Sequence, residues 1–461
     1  MYVPAVSPTL SAWVAVHRHK PSRHLGWFHG KRKGERDTET MSELLEKILE
    51  DSNIQSAKQR VVANGGAFGV DGMRTEELDS YLKEHLGEIK GQIRTRTYQP
   101  QPVRRVEIPK PNGGVRKLGI PTVVDRVIQQ AVAQVLSPIF EPIFSNSSYG
   151  FRPGRRCQDA IVKALEYFND GYIWVVDIDL EKFFDNVPQD RLMSLVGRVI
   201  RDGDTESLIR KFLKAGVMVG ESLEPSEKGT PQGGNLSPLL SNVMLNELDK
   251  ELEARNLRFT RYADDCIIMV KSHAAANRVM HSVVRFIEGK LGLKVNATKT
   301  KIVPPNDLTY LGFGFVRMKD GWHARPSDTA KAKFTAKLKY LCRRNLSVDN
   351  GYRISKLNEV VRGWVNYFRI GMMKKFLTSV SGWLLTKLRV IIWKQWKVRS
   401  RRVEALRQLG VPEWAVQKEV GIGNRYWKAA HLPYVKKAIS KDRLTRLKGL
   451  VDPLDYYLKT A

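Results

Sequence analysis

Cysteine is scarce in this 461-residue chain: Cys157, Cys266 and Cys342 stand far apart and odd in number. They build neither a zinc knuckle nor a disulfide framework, which fits a reducing compartment. Long apolar runs are missing too. With no run of about 18 or more consecutive apolar residues, nothing is expected to span a bilayer and no membrane is a partner. Acid is the third shortage, with 77 Lys and Arg against 48 Asp and Glu and a formal charge of +29. Such an excess implies a polyanionic partner, because cations gain affinity by releasing counterions from a phosphate backbone. The imbalance is steepest near the C-terminus. From residue 341 to 461 there are 26 Lys and Arg against 8 Asp and Glu, so +18 of the charge sits there.

The length allows two or three domains with a sizeable core. Residues 1–40 read apart from the rest, rich in His, Arg, Trp and Pro, with Glu35 the first acid. They lack the order of a secretory signal. Pro4 and Pro8 weaken the amphipathic helix that organelle targeting needs, so a disordered extension is expected. A helix opens at Met41.

Against that basic background, two acidic clusters stand out. Arg261-Tyr262-Ala263-Asp264-Asp265 lies between Asn256–Thr260 and the apolar run Cys266–Val270, which predicts two adjacent carboxylates at a β-hairpin tip. Adjacent acids repel, and hard oxygen ligands suit Mg²⁺. A solvated Asp-Asp turn is the alternative for the dipeptide alone, but five apolar residues behind it argue against a polar loop. Upstream, Trp174–Leu180 reads as a strand with Asp177 and Asp179 on one face, leading into Phe183-Phe184-Asp185. A strand acid facing a hairpin-tip pair is how two cations about 4 Å apart are held for in-line phosphoryl transfer.

Together these two motifs resemble the palm of a reverse transcriptase. The resemblance runs from Met41 to Tyr457 in order and points to the group II intron-encoded reverse transcriptase/maturases of bacteria. It implies an α+β right-hand polymerase: fingers and palm with an antiparallel palm sheet plus helices, then an α-helical thumb and a small helical nucleic-acid-binding tail. The implied boundaries are 41–160 for fingers with an N-terminal extension motif, 161–330 for palm, 331–398 for the thumb or maturase X domain, and 399–461 for a basic DNA-binding tail.

The implied catalytic acids are Asp179, Asp264 and Asp265, with Leu180 joining them in the metal site. Two Mg²⁺ ions are expected, with Mn²⁺ as a substitute. Asp177 is a neighbour without an assigned role. Phe184 matches the residue that excludes a 2′-OH. Arg104–Pro121 resembles the fingers hairpin, whose Lys110 and Arg116 would reach an incoming triphosphate; solvated edge-strand cations are the alternative. Gln232, in Gly229-Thr230-Pro231-Gln232-Gly233-Gly234, matches the nucleotide-binding turn. For template and primer, the resemblance implies Arg152, Arg155, Arg156, Tyr262, Lys299 and Gly312. Residues 64–72 are assigned to a template-contacting loop by analogy alone.

The implied function is copying of intron RNA into DNA and support of its splicing, with intron RNA, DNA target and primer, and deoxynucleoside triphosphates as partners, in the bacterial cytoplasm at the nucleoid. The Cys pairs and His-rich tail of the family's endonuclease module are not in the sequence, which resembles the compact class and implies a primer from elsewhere, such as a nascent strand at a replication fork. Two other readings stand beside it: a domesticated relative in DNA repair or phage defence, and an RNA-folding factor with a decayed polymerase. The intact acids argue against the last. Oligomeric state has no signature.

Overall fold

The structure, a computed structural model, describes residues 42–109, 113–231 and 233–460. The first forty residues and the opening Met41 lie outside them. The chain forms two compact units, one of residues up to Ala160 with Trp174–Ile302, the other of Ile161–Ile173 with Val303–Ala461.

The first unit opens with α1 (Glu43–Leu49), α2 (Asp51–Asn64) and α3 (Leu78–Arg94). Ser42 caps α1 by accepting the Leu45 N–H at 3.0 Å. Strands β1 (Val103–Pro109) and β2 (Val115–Ile120) pair antiparallel from Arg104↔Ile120 to Pro109↔Val115 and grow exposed toward their turn. Helix α4 (Val123–Phe140) is buried on almost every face of its first half. Its start is pinned by Asp125, whose carboxylate accepts from the Tyr98 hydroxyl at 2.7 Å and the Gln101 N–H at 3.1 Å.

Helix α5 (Cys157–Asn169) carries the chain out of this unit and β3 (Trp174–Ile178) returns it. A short α6 (Phe183–Asn186), then α7 (Gln189–Ile200), α8 (Gly203–Lys214) and the hairpin β4 (Val217–Val219)–β5 (Ser222–Glu224) follow. Next come α9 (Ser237–Ala254), β6 (Arg258–Tyr262), β7 (Asp265–Val270), α10 (His273–Phe286) and β8 (Lys301–Val303). The central sheet runs β6-β7-β3-β8. Val175, Val176, Ile178, Ile267, Ile268 and Met269 are all 1% exposed or less, so this sheet is buried on both faces. That is why β7 reads as a continuous apolar run instead of an alternating one. A second sheet, β2-β1-β4-β5, includes the parallel pair β1–β4.

The second unit holds the sheet β9 (Thr309–Tyr310), β10 (Phe313–Met318) and β11 (Gly321–Pro326). These strands, expected inside a palm ending at 330, cluster instead with the C-terminal helices. Phe313 meets the ring of Phe368 at 4.8 Å, and Phe168 of the α5 segment meets Phe315 at 5.0 Å. The helices are α11 (Asp328–Leu341), α12 (Asn350–Phe368), α13 (Lys374–Gln395), α14 (Arg399–Gln408), α15 (Glu413–Val420), α16 (Tyr426–Ala429), α17 (Pro433–Ala438) and α18 (Pro453–Thr460).

Helix α13 is long and apolar enough by composition to cross a membrane, although 56% of its apolar window is buried among its neighbours, the burial of a core helix. The last helix, α18, packs on α12 and the turn after it: Tyr456 donates to Asn366 Oδ1 and Tyr457 to the Gly371 carbonyl, each at 3.1 Å.

Candidate active site

The hairpin predicted from the sequence is present. Tyr262 pairs with Asp265 across a two-residue turn of Ala263 and Asp264, and Ala263 adopts a left-handed φ of 57°. On the neighbouring strand, Ile178 pairs with Cys266. Continuing that antiparallel register brings Asp179, one residue beyond β3, level with Asp265, while Asp177 lies opposite Ile267. Asp179 is held from behind: its N–H donates to Thr300 Oγ1 at 3.2 Å and its carbonyl accepts the Asn296 N–H at 2.8 Å. Lys299 Nζ stands 3.4 Å from Asp179 Oδ2. Leu180 is buried and bridges Val295.

Three of these acids, Asp177, Asp264 and Asp265, are shifted upward. Asp265 keeps an exposed edge, yet surrounding protein together with the charges of Asp264, Asp177 and Asp179 pushes its pKa up to about 7. Asp177 is raised to about 6, by burial first, with Lys301 opposing and Asp179 adding to the rise. Burial also raises Asp264, against the charges of Arg116 and Arg261. The positive charge of Arg116 on β2 thus acts on Asp264 from across the site.

Among the described residues, no three Asp, Glu, His or Cys groups already close around one point as a metal site. The donor chemistry nevertheless fits a divalent cation. Oxygen-only donors whose mutual repulsion a cation would relieve are what such an ion needs, and substrate oxygens and water ordinarily complete its shell.

Around the acids the structure brings Phe184, Thr230 and strand β2 close to one another. Phe184 is half-buried with its ring 5.2 Å from Phe183. Its carbonyl accepts the Thr230 N–H at 2.7 Å, joining it to the Pro231–Gly233 turn. Gly229, at φ 87°, presses on that same carbonyl, and a Cβ there would lie 2.6 Å from it. On the other side, a Cβ on Gly233 would lie 2.7 Å from the Gly119 carbonyl of β2. The glycines thus let the turn wedge between α6 and the fingers strand. Lys110 and Gln232 themselves lie outside the described residues.

The template set divides. Arg152 is corrected: its side chain is 3% exposed and held by Glu141 Oε1 at 2.7 Å and by the carbonyls of Glu141, Ser145 and Ser148. It has no face left for nucleic acid. Arg155 is half-buried, donating to Asn146 and lying over the Tyr149 ring, while Arg156 is exposed beside Asp159. Tyr262 is half-buried in the hairpin. Gly312, at φ 80°, lies in the second unit with the Phe368 ring 3.5 Å from where its Cβ would be.

Sequence reasoning missed Arg261, Asp249, Asn242 and Gly150, which surround the hairpin from behind. The available signal was an arginine at the head of the acid-pair turn, beside the apolar run Cys266–Val270, a setting that only a buried partner makes tolerable.

The pattern of the family "Reverse transcriptase (RNA-dependent DNA polymerase)" matches residues 108–315, and that of "Group II intron, maturase-specific domain" matches 331–410. Protein YkfC of Escherichia coli (strain K12) is 34% identical over 317 residues, covering 60% of this chain and 83% of YkfC. The group II intron-encoded protein LtrA of Lactococcus lactis is 36% identical over 268 residues, 58% of this chain but 44% of LtrA. The putative COX1/OXI3 intron 2 protein of Saccharomyces cerevisiae is 27% identical over 63% of this chain and 40% of its own length. With both patterns in sequence order and an acid-bearing hairpin inside the first, the chain belongs to the reverse transcriptase/maturases encoded by group II introns, RNA-directed DNA polymerases that work with divalent metal ions and nucleic-acid substrates.

Proposed function

We propose that this chain extends a DNA primer on group II intron RNA from deoxynucleoside triphosphates, with two Mg²⁺ ions held by Asp179, Asp264, Asp265 and the backbone carbonyl of Leu180. Its basic C-terminal region binds the intron RNA and supports splicing. The observation that carries the reading is the strand register that sets Asp179 level with Asp265, beside Asp264 at the hairpin tip, where the carboxylates repel one another. A cation is the natural remedy for that repulsion. Bound there, the ions would activate the primer 3′-OH and neutralise charge on the departing pyrophosphate.

The chain's own residues do the rest. Arg116 brings positive charge toward Asp264, where a triphosphate would arrive. Lys299 compensates Asp179. Phe184, anchored through its carbonyl to Thr230, would occupy the volume that a ribose 2′-OH needs. The test is Asp264→Asn, expected to abolish synthesis by at least about 10³-fold while intron RNA affinity is kept. Normal polymerisation by that variant would overturn the assignment.

A further inference from the structure

Behind the acidic hairpin, Arg261 is 0% exposed. A guanidinium has five N–H donors, and here five hydrogen bonds leave it. Nε donates to Asp249 Oδ1 at 2.7 Å and Nη2 to Asp249 Oδ2 at 2.5 Å, a two-pronged ion pair with an acid that is itself fully buried. Nη2 also reaches Ser148 Oγ at 2.7 Å. Nη1 donates to Asn242 Oδ1 at 3.1 Å and to the Ala263 carbonyl at 2.8 Å.

These bonds join two stretches of chain, α9 and the segment at Ser148, to one turn. Asp249 and Asn242 lie on α9, Ser148 precedes Gly150, and Ala263 is the left-handed residue immediately before Asp264. Asn242 closes the loop by donating its Nδ2 to the Gly150 carbonyl at 2.9 Å. The strand backbone is fastened as well, with Tyr149 N–H on the Arg261 carbonyl at 2.8 Å and Arg261 N–H on the Ser147 carbonyl at 2.9 Å. Gly150 then sits so close that a Cβ on it would lie 2.2 Å from the Ala263 nitrogen. A non-glycine residue at positive φ is uncommon and persists where its surroundings over-determine it. Here the surroundings are Arg261 on the carbonyl side and Gly150 on the amide side.

We infer that Arg261, with Asp249 and Asn242, is a positioning clamp that fixes the Ala263 turn and so sets the directions of Asp264 and Asp265. The inference rests on those two acids being the polymerase carboxylates. Arg261 touches no substrate; it acts through the turn. A lysine there keeps the charge but loses the planar fork, which is what spans Asp249, Asn242 and the Ala263 carbonyl together.

The experiment compares full-length Arg261→Lys and the milder Asn242→Ala with the unaltered chain. Hydrogen exchange is followed at the amides of residues 262–266, and single-nucleotide incorporation is followed against Mg²⁺ concentration. Expected are faster exchange confined to the hairpin tip, a kcat lowered by about 10²-fold, the scale of a 1 Å misplacement, and partial rescue at high Mg²⁺. The KM for primer–template and the RNA affinity stay unchanged. Unaltered exchange at 262–266 in Asn242→Ala overturns the clamp, as does exchange that rises throughout the unit, which marks mere loss of stability. The exchange readout needs no catalysis, so it fails or succeeds independently of the carboxylate assignment, which Asp264→Asn tests.

Discussion

Arg152 offers a sharp test, because its residue type suggests nucleic-acid binding and its surroundings say otherwise. Replacing it with Ala leaves Glu141 without its cation and leaves the Ser145 and Ser148 carbonyls each short of a donor. Removing one partner of a buried ion pair costs about 3–5 kcal/mol. Glu141 is 29% exposed and regains some hydration, so the lower end, about 3 kcal/mol, is expected. The exposed Arg156 should behave oppositely: Arg156→Ala changes stability by less than about 0.5 kcal/mol. If Arg156 touches a phosphate, its removal lowers the slope of log affinity against log salt by about 0.7–0.9. Urea unfolding of both variants, with RNA binding titrated across salt concentrations, separates the two roles. The reasoning fails if Arg152→Ala unfolds at the wild-type urea concentration while its salt slope drops.

Phe184→Ala opens the space beside the Pro231–Gly233 turn and should admit ribonucleotides, read as the ratio of ribonucleotide to deoxynucleotide incorporation; unchanged discrimination with surviving activity refutes it. Asp265, raised to about 7 from an ordinary 3.8, holds its proton up to neutrality. A metal needs the carboxylate, so the Mg²⁺ midpoint for synthesis should rise roughly tenfold from about pH 8 to about pH 6, and a flat midpoint sinks the idea. By linkage, the metal-free protein should lose stability as pH rises through about 7, since the folded state binds that proton more tightly than the unfolded chain. For RNA affinity, cutting the chain near residue 335 is a poor probe, because it strips Trp364 from its stack on Phe334 at 4.4 Å. Changing the exposed Lys428, Lys436 and Lys437 to Gln keeps the fold and should flatten the salt slope by about 0.7–0.9 for each phosphate no longer neutralised. An unchanged slope removes these lysines from the RNA interface.

Local chemistry alone determined much of this protein. An acid pair between an extended segment and five apolar residues has few homes other than a hairpin tip on a buried sheet, and the hairpin is there. The paired strands within Arg104–Pro121 were legible for the same reason, since the signals that form them act over a few residues. The partners of the β9–β11 sheet were not legible, because Phe313 and Phe368 are brought together only by folding.

The arginines mark the boundary most clearly. Arg152, Arg156 and Arg261 are the same residue in similarly basic or apolar-flanked stretches, yet two are buried and one is exposed. Arg261 finds Asn242, 19 residues away, and Ser148, 113 residues away. The energy of a guanidinium depends on whether such partners replace its water. Only the tertiary structure brings them within hydrogen-bond reach, so only it decided which cations hold the site together and which remain to meet a phosphate.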